Sequence, residues 1–235
     1  MKKSLLIAAS TLVSLGFNAM AGDLTGTITF KGTAPAEASF EDKMKETDPN
    51  CAALYASSSF PTTHFYVVSS SGGLADVVVS IKGLGKSTGV TAAPAVIDQK
   101  GCVYLPSVLA VQTGQKVIVK NSDPVVHNVH TVPKVNEMQN LPQPPGSPDL
   151  TFVFDKPEPF LKFSCDVHPW MLAWVTVVDG PYFSVSDKDG KFTIKNVPAG
   201  KYTVEFAHRK LGTKTVEVEV KDGGATQDIT FEAAK

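Results

Sequence analysis

The chain has 235 residues, 43% of them hydrophobic and 19% charged, with 22 basic against 23 acidic side chains. That near-neutral balance contains no basic block, so nucleic acid is not an expected partner. The length suits one large β domain or two small ones.

In chain order, residues 1–21 read as a signal peptide. Lys2 and Lys3 supply a positive start, Leu5 to Phe17 is mostly apolar, and Ala19-Met20-Ala21 is a small-x-small cleavage site. The apolar run is short for a membrane span, and no second such run follows, so the expectation is an exported protein with no membrane insertion. The leader has a bacterial character, which points to the periplasm. Its removal takes away two lysines and shifts the formal charge from -1 to -3.

Glu37 to Ala56 is the one plausible helix, interrupted by Asp48-Pro49-Asn50. The remaining apolar segments are short, β-branched and bounded by turn residues. Strands are expected over Gly26–Phe30, His64–Val68, Asp76–Ile81, Gln115–Val119, His127–Val132, Thr151–Phe154, Phe160–Ser164 and Ala173–Val178. Five more are expected over Tyr182–Ser186, Lys191–Ile194, Lys201–Phe206, Thr213–Val220 and Asp228–Phe231. The proline-rich stretch from Pro133 to Asp149 reads as a long surface loop, because proline lacks the donor that a central strand needs.

An exported chain tends to pair its cysteines or commit them to a metal. Cys51 and Cys102 lie in segments without metal-ligand spacing, whereas Cys165 sits among other donors. The simplest arithmetic is a Cys51–Cys102 disulfide and a metal-bound Cys165 thiolate. A disulfide using Cys165, with Cys51 or Cys102 free, is the alternative.

The segment Ser164-Cys165-Asp166-Val167-His168-Pro169-Trp170-Met171 places a thiolate, an imidazole and a thioether within seven residues. Pro169 breaks regular structure, so a tight loop can fold these side chains onto one point. His127 alternates with Val125 and Val129 and is expected to point inward as the fourth donor. His127, Cys165, His168 and Met171 are the donor set of a type 1 copper ion, since Met is a poor zinc ligand and haem attachment needs a Cys-x-x-Cys-His run that is absent. Such a ligand set implies no open position, which favours electron transfer over catalysis. His130 falls on the opposite strand face, Asp166 suits a loop cap, Met138 lies in the proline-rich loop, and His64 and His208 read as ordinary packed residues. Pro169 and Trp170 either cover the metal or form an apolar patch around a near-surface His168.

These motifs resemble the copper-binding core of the cupredoxin family, with amicyanin the nearest likeness and plastocyanin and pseudoazurin further off. His127-Asn128-Val129-His130 matches the family's first-ligand strand, and Cys165, His168 and Met171 match its ligand loop, with the short His-to-Met spacing of amicyanin. The resemblance runs from Val96 to Asp179. It implies that Asn128 ties the two ligand segments together and helps hydrogen-bond the thiolate. It also implies a redox partner such as a c-type cytochrome or a dehydrogenase. The proline-rich insertion departs from the family pattern and puts the docking surface in doubt.

Val185 to Glu205, with its Asp187-Lys188-Asp189-Gly190 turn and Pro198-Ala199-Gly200, resembles the carboxypeptidase regulatory-like domain, a small transthyretin-like sandwich. The Asp-rich turn is too short for a calcium loop and suits a hairpin. Because about 55 residues are few for a self-sufficient sandwich, strands near Leu24–Lys31 and Ala75–Lys82 are expected to complete it. The expected fold class is therefore all-β: a Greek-key cupredoxin sandwich over 96–179, inserted into a discontinuous sandwich formed by 22–95 and 180–235. The alternative is a cupredoxin over 22–179 followed by a small β domain over 180–235. Electron transfer is the leading function, and copper delivery is the runner-up.

Overall fold

The computed structural model describes residues 21–233; the leader expected over 1–21 lies outside them except for its last residue. The chain opens with β1 (Ala21–Lys31) and two short helices, α1 (Glu41–Thr47) and α2 (Pro49–Ala53). It continues with β2 (Val78–Ile81), β3 (Ala95–Gln99), β4 (Tyr104–Leu105), β5 (Val108–Gln112), β6 (Lys116–Asn121) and β7 (His127–Val132). Then come β8 (Asn140–Gln143), β9 (Leu150–Val153), β10 (Glu158–Ser164), β11 (Leu172–Val178) and β12 (Phe183–Val185). The last strands are β13 (Lys191–Pro198), β14 (Gly200–His208), β15 (Gly212–Val220), β16 (Ala225–Thr226) and β17 (Ile229–Glu232).

Four sheets enclose two apolar cores. The order β5-β11-β10-β7-β8 forms one sheet and β4-β3-β6-β9 another. Between them lie Ile97, Tyr104, Val117, Val129, Phe152, Phe163 and Val175, each almost wholly buried. The second core lies between β12-β2-β14-β15 and a sheet in which β1 pairs with β13, β16 and β17. It contains Leu24, Ile28, Val79, Phe192, Phe206, Val220 and Phe231. β1 and β2 thus contribute to the same core as the C-terminal strands. A small cluster of Val78, Val108 and Ala110, with Phe183 and Trp174 against it, joins the two.

The sequence reading groups all of 22–95 with the second core, but Met44 and Cys51 are buried in the first. The physical reason is the Cys51–Cys102 disulfide, which is formed and draws the helical excursion onto the first core. The interruption expected at Asp48-Pro49-Asn50 is a helix start: Asp48 caps α2 by accepting from the Asn50 backbone N–H at 2.9 Å, and Pro49 occupies the first turn.

Two expectations change in detail. His64–Val68 forms no strand; His64 takes a left-handed backbone conformation, and only an isolated bridge joins Val68 to Leu74. The proline-rich stretch is not wholly loop, because β8 pairs with β7 in the register His127–Gln143 and Asn128–Pro142. Pro142 is tolerated there because β8 ends its sheet.

The Asp187–Gly190 segment is a tight turn but not the expected hairpin, because the strands it joins, β12 and β13, lie in different sheets. Asp187 Oδ1 accepts the backbone N–H of Asp189 and of Lys191, and Gly190 holds φ 77° where an added Cβ would strike the Ile28 carbonyl. Among the described residues, no helix is long and apolar enough to cross a membrane.

Candidate metal centre

Two local structures position the donors. β7 is central enough to bury alternate residues, and His127 and Val129 are both fully buried on it. The Cys165–Met171 loop leaves β10 and closes on itself. The Met171 N–H donates to the His168 carbonyl at 2.9 Å, and the Cys165 N–H donates to the Met171 carbonyl at 3.3 Å. This closure brings Cys165 and His168 to the end of β7, with Met171 fully buried in the same core.

The result is a group of His127, Cys165 and His168 whose donor atoms all lie within 4.8 Å of one another. The two Nδ1 atoms face each other at 2.9 Å, and His168 Nδ1 lies 3.8 Å from Cys165 Sγ. Two neighbouring groupings, Asp48-Cys51-His168 and Cys102-Asp123-His127, each include a cysteine of the disulfide. A disulfide sulfur has no thiolate to offer, so the grouping around Cys165, the free cysteine, is the metal candidate.

The outer nitrogens settle which face of each ring is available. His127 Nε2 meets Asp123 Oδ2 at 3.0 Å, and His168 Nε2 meets Asp48 Oδ2 at 3.0 Å. A carboxylate only accepts, so each Nε2 carries a proton; a ring neutral in that tautomer presents a bare Nδ1 lone pair inward, and a protonated one donates its Nδ1–H toward the Cys165 sulfur. Two inward lone pairs beside a thiol are complementary to a cation. Donors bound about 2.0–2.3 Å from one ion stand about 3–4 Å apart, and the separations of 2.9 and 3.8 Å fall in that range. The donor set therefore fits a metal, and its two imidazoles and thiolate suit a soft or borderline ion.

The thiol is prepared for the same role. Burial works to raise its pKa, but hydrogen bonds from His127, His168 and the Asn128 backbone outweigh burial and bring it down to about 6. Burial also opposes charge on His127, yet its bonds with Asp123 and Cys165 leave its pKa above the ordinary histidine value. The Asp48 carboxyl is held below the usual carboxylate range. Its burial is outweighed by the bonds from His168 and Asn50.

Asn128 joins the two ligand segments. Its Oδ1 accepts from the Asp166 N–H at 2.7 Å and from the Cys165 thiol at 3.3 Å, while its Nδ2 donates to Asn140 Oδ1 at 2.7 Å and to Asp166 Oδ2 at 3.1 Å. Tyr104 adds a second tie, its hydroxyl donating to the carbonyls of Asn128 and Ser164.

His130 turns away from the donors and pairs with Asp166 at 2.9 Å, where Asp166 anchors the loop from outside. Met138 is 59% exposed and stands apart from the cluster. His64 lines an apolar pocket beside Trp170, and His208 belongs to the second core.

One alternative is corrected: His168 is not near the surface. It is fully buried and Trp170 is 3% exposed, so the loop residues that reach solvent are Asp166, Val167 and Pro169. Trp170 packs against the His168 ring with centroids 5.1 Å apart and donates its Nε1–H to the Cys102 carbonyl at 2.9 Å. The other cover is the helical excursion, which brings Asp48 and Cys51 against His168 Nε2.

Asp48 and Asp123 are the functional residues that sequence reasoning missed. Asp123 lies four residues before His127 in a segment read as a turn. Asp48 lies three residues before Cys51, and its only sequence signal was the Asp-Pro helix start.

A family model for the β-sandwich domain of ER membrane protein complex subunit 7 matches residues 173–235. No curated protein matches the chain. Among solved structures, a copper-containing nitrite reductase from Thermus scotoductus SA-01 aligns at 21% identity over 37% of this chain, with a TM-score of 0.35; the aligned region spans 23% of the reductase. A purple cupredoxin from Nitrosopumilus maritimus aligns at 26% identity over 36% of this chain and 99% of its own, with a TM-score of 0.31. A copper(I) form of an amicyanin variant aligns at 23% identity over 43% of this chain and 98% of its own, with a TM-score of 0.32. The chain is a multi-sheet β protein with a distant, partial likeness to cupredoxins and, over 173–235, a likeness to the subunit 7 sandwich.

Proposed function

We propose that this protein is a periplasmic type 1 copper protein that passes single electrons between redox partners and does not transform a substrate. The observation that carries this reading is the pair of inward Nδ1 atoms beside a low-pKa thiol. His127, His168 and Cys165 would hold the copper, Met171 would add a weak soft donor, and Asn128 orients the loop. Copper held there supplies a one-electron couple. The protein's part is to keep the donors in one arrangement: Asn128 and Tyr104 lock the strand to the loop, and the surrounding core excludes water. A rigid donor set reorganises little, which suits electron transfer.

The buried ligands also weigh against copper delivery, since Trp170 and α2 cover His168 and an ion held there would exchange slowly. The partner expected is a periplasmic redox protein such as a c-type cytochrome or a dehydrogenase. The leader-like start and the formed disulfide support export to an oxidising compartment. We further assign the first core, 96–179, to a Greek-key cupredoxin domain with residues 41–53 added to it. The strands from 22–95 and 180–235 then form a discontinuous transthyretin-like support.

The test is the visible and electron paramagnetic spectrum of the mature protein after one equivalent of Cu(II). An intense thiolate-to-copper band with narrow hyperfine splitting is expected. A colourless protein, or a weak band with wide splitting, overturns the reading.

A further inference from the structure

The carboxylates behind the two imidazoles are not separate features. Asp123 is 6% exposed, and besides His127 it accepts the backbone N–H groups of Gly101 at 2.6 Å and Cys102 at 2.7 Å. Those bonds hold Cys102 in a left-handed conformation with φ 52°, and the Cys102 carbonyl receives the Trp170 indole N–H. Cys102 is bonded to Cys51. Cys51 sits on α2, whose capping residue is Asp48. Asp48 divides its two oxygens: Oδ1 caps α2 and Oδ2 accepts the His168 Nε2–H. A continuous chain of bonds therefore runs from one ligand imidazole to the other, as His127–Asp123–Cys102–Cys51–α2–Asp48–His168.

We propose that Asp48, Asp123 and the Cys51–Cys102 disulfide form one clamp that fixes both ligand imidazoles and seals the His168 edge of the centre, with Asp48 and Asp123 as positioning residues. The proposal rests on the copper reading for its redox consequence but not for its structural one. Hydrogen-bonded carboxylates fix the ring tautomer and make the imidazole a stronger donor. Two carboxylates, Asp123 buried and Asp48 partly buried, also favour the more highly charged state of a bound metal. The disulfide matters because α2 is only five residues long and cannot hold Asp48 in place by itself.

The test has two arms. In the copper-loaded full mature protein, Asp48→Asn keeps an acceptor for Nε2–H but removes the charge. It is expected to shift the Cu(II)-over-Cu(I) affinity ratio about tenfold, a rise of about 59 mV in midpoint potential, while the thiolate band persists. Asp123→Asn is expected to shift it in the same direction. Unchanged potentials in both variants overturn the positioning role.

In the metal-free protein, modification by diethyl pyrocarbonate is mapped by mass spectrometry, with partly exposed His130 as the internal reference. His168 is expected to react at least tenfold more slowly than His130 in the native chain. Asp48→Ala, or the Cys51→Ala/Cys102→Ala pair, is expected to remove that protection. Equal rates for His168 and His130 in the native chain overturn the seal, even where a variant fails to fold. A colourless copper titration with His168 still protected sinks the copper reading and leaves the clamp standing.

Discussion

The two cores of this protein bury polar groups for different ends. The second core is almost wholly apolar, and its buried polar residues close on backbone. Ser186 bonds Leu74 and Val77, and His208 Nδ1 accepts the N–H groups of the Lys210–Leu211 turn. The first core buries His127, His168, Asp123, Asn128, Gln99 and Gln143 among its aromatic rings. Its two histidines have their outer nitrogens satisfied and their inner ones aimed at each other. Burying polar groups is unfavourable unless they are paired, so a core that concentrates them and leaves converging lone pairs is built around something. The comparison teaches that a buried histidine is read by where its second nitrogen goes. In His208 it serves a turn; in His127 and His168 it converges on a thiol.

The sharpest way to break that comparison is to remove the convergence without disturbing either core. Cys165→Ser keeps the shape of a residue that is 2% exposed but takes away the thiolate. The expected outcome is complete loss of the intense copper band and at least a hundredfold weaker Cu(II) binding in a competition titration, with thermal unfolding of the metal-free protein little changed. Retention of the band overturns the assignment of Cys165 as a ligand.

How much of this was legible in the sequence follows the same divide. Periodicity placed β7 at its observed bounds, and it found the second core's strands except the two-residue β16 to within about five residues. The His127, Cys165 and His168 convergence was readable because two of the donors lie on one tight loop and the segment of the third has inward alternation. β3 and β5 were not readable as strands. Each pairs in parallel with a strand distant in sequence, and each lacks a clean alternating pattern. Asp48 was invisible for a stronger reason. It is 120 residues from His168, and only the disulfide and the capping of α2 bring it there. Local pattern cannot report a contact made by a covalent crosslink elsewhere in the chain.

A second prediction works from the other side. Phe206 is fully buried on β14 and packs edge-on to Phe192 with centroids 5.6 Å apart. Phe206→Ala leaves a cavity in the second core and is expected to cost about 3–5 kcal/mol in denaturant unfolding. If the second core only supports the first, the copper spectrum of the folded variant stays as in the native protein. A changed band shape would show that the small cluster at Val78, Val108 and Ala110 transmits strain to the ligands, and the two cores would then have to be treated as one unit.

The smallest expected effect separates the histidines by pH. Burial, with the Arg209 charge beside it, pushes the His208 pKa down to about 4. The unfolded chain has an ordinary imidazole near 6.5, so it binds a proton before the folded chain does as the pH falls. The stability that His208 contributes is therefore fully present above about 6.5 and is lost as the pH drops through 4. A shift of that size corresponds to about 3 kcal/mol across the window. The fully buried side chain, with its Nδ1 occupied by the turn, is the structural cause. Unfolding of the metal-free protein between pH 7 and 4 is expected to weaken along this window, and His208→Gln is expected to flatten the slope while leaving the copper band at pH 7 unchanged. A slope that survives the substitution would place the acid-sensitive group in the first core instead, and the second core would lose its only titrating histidine as the source of acid lability.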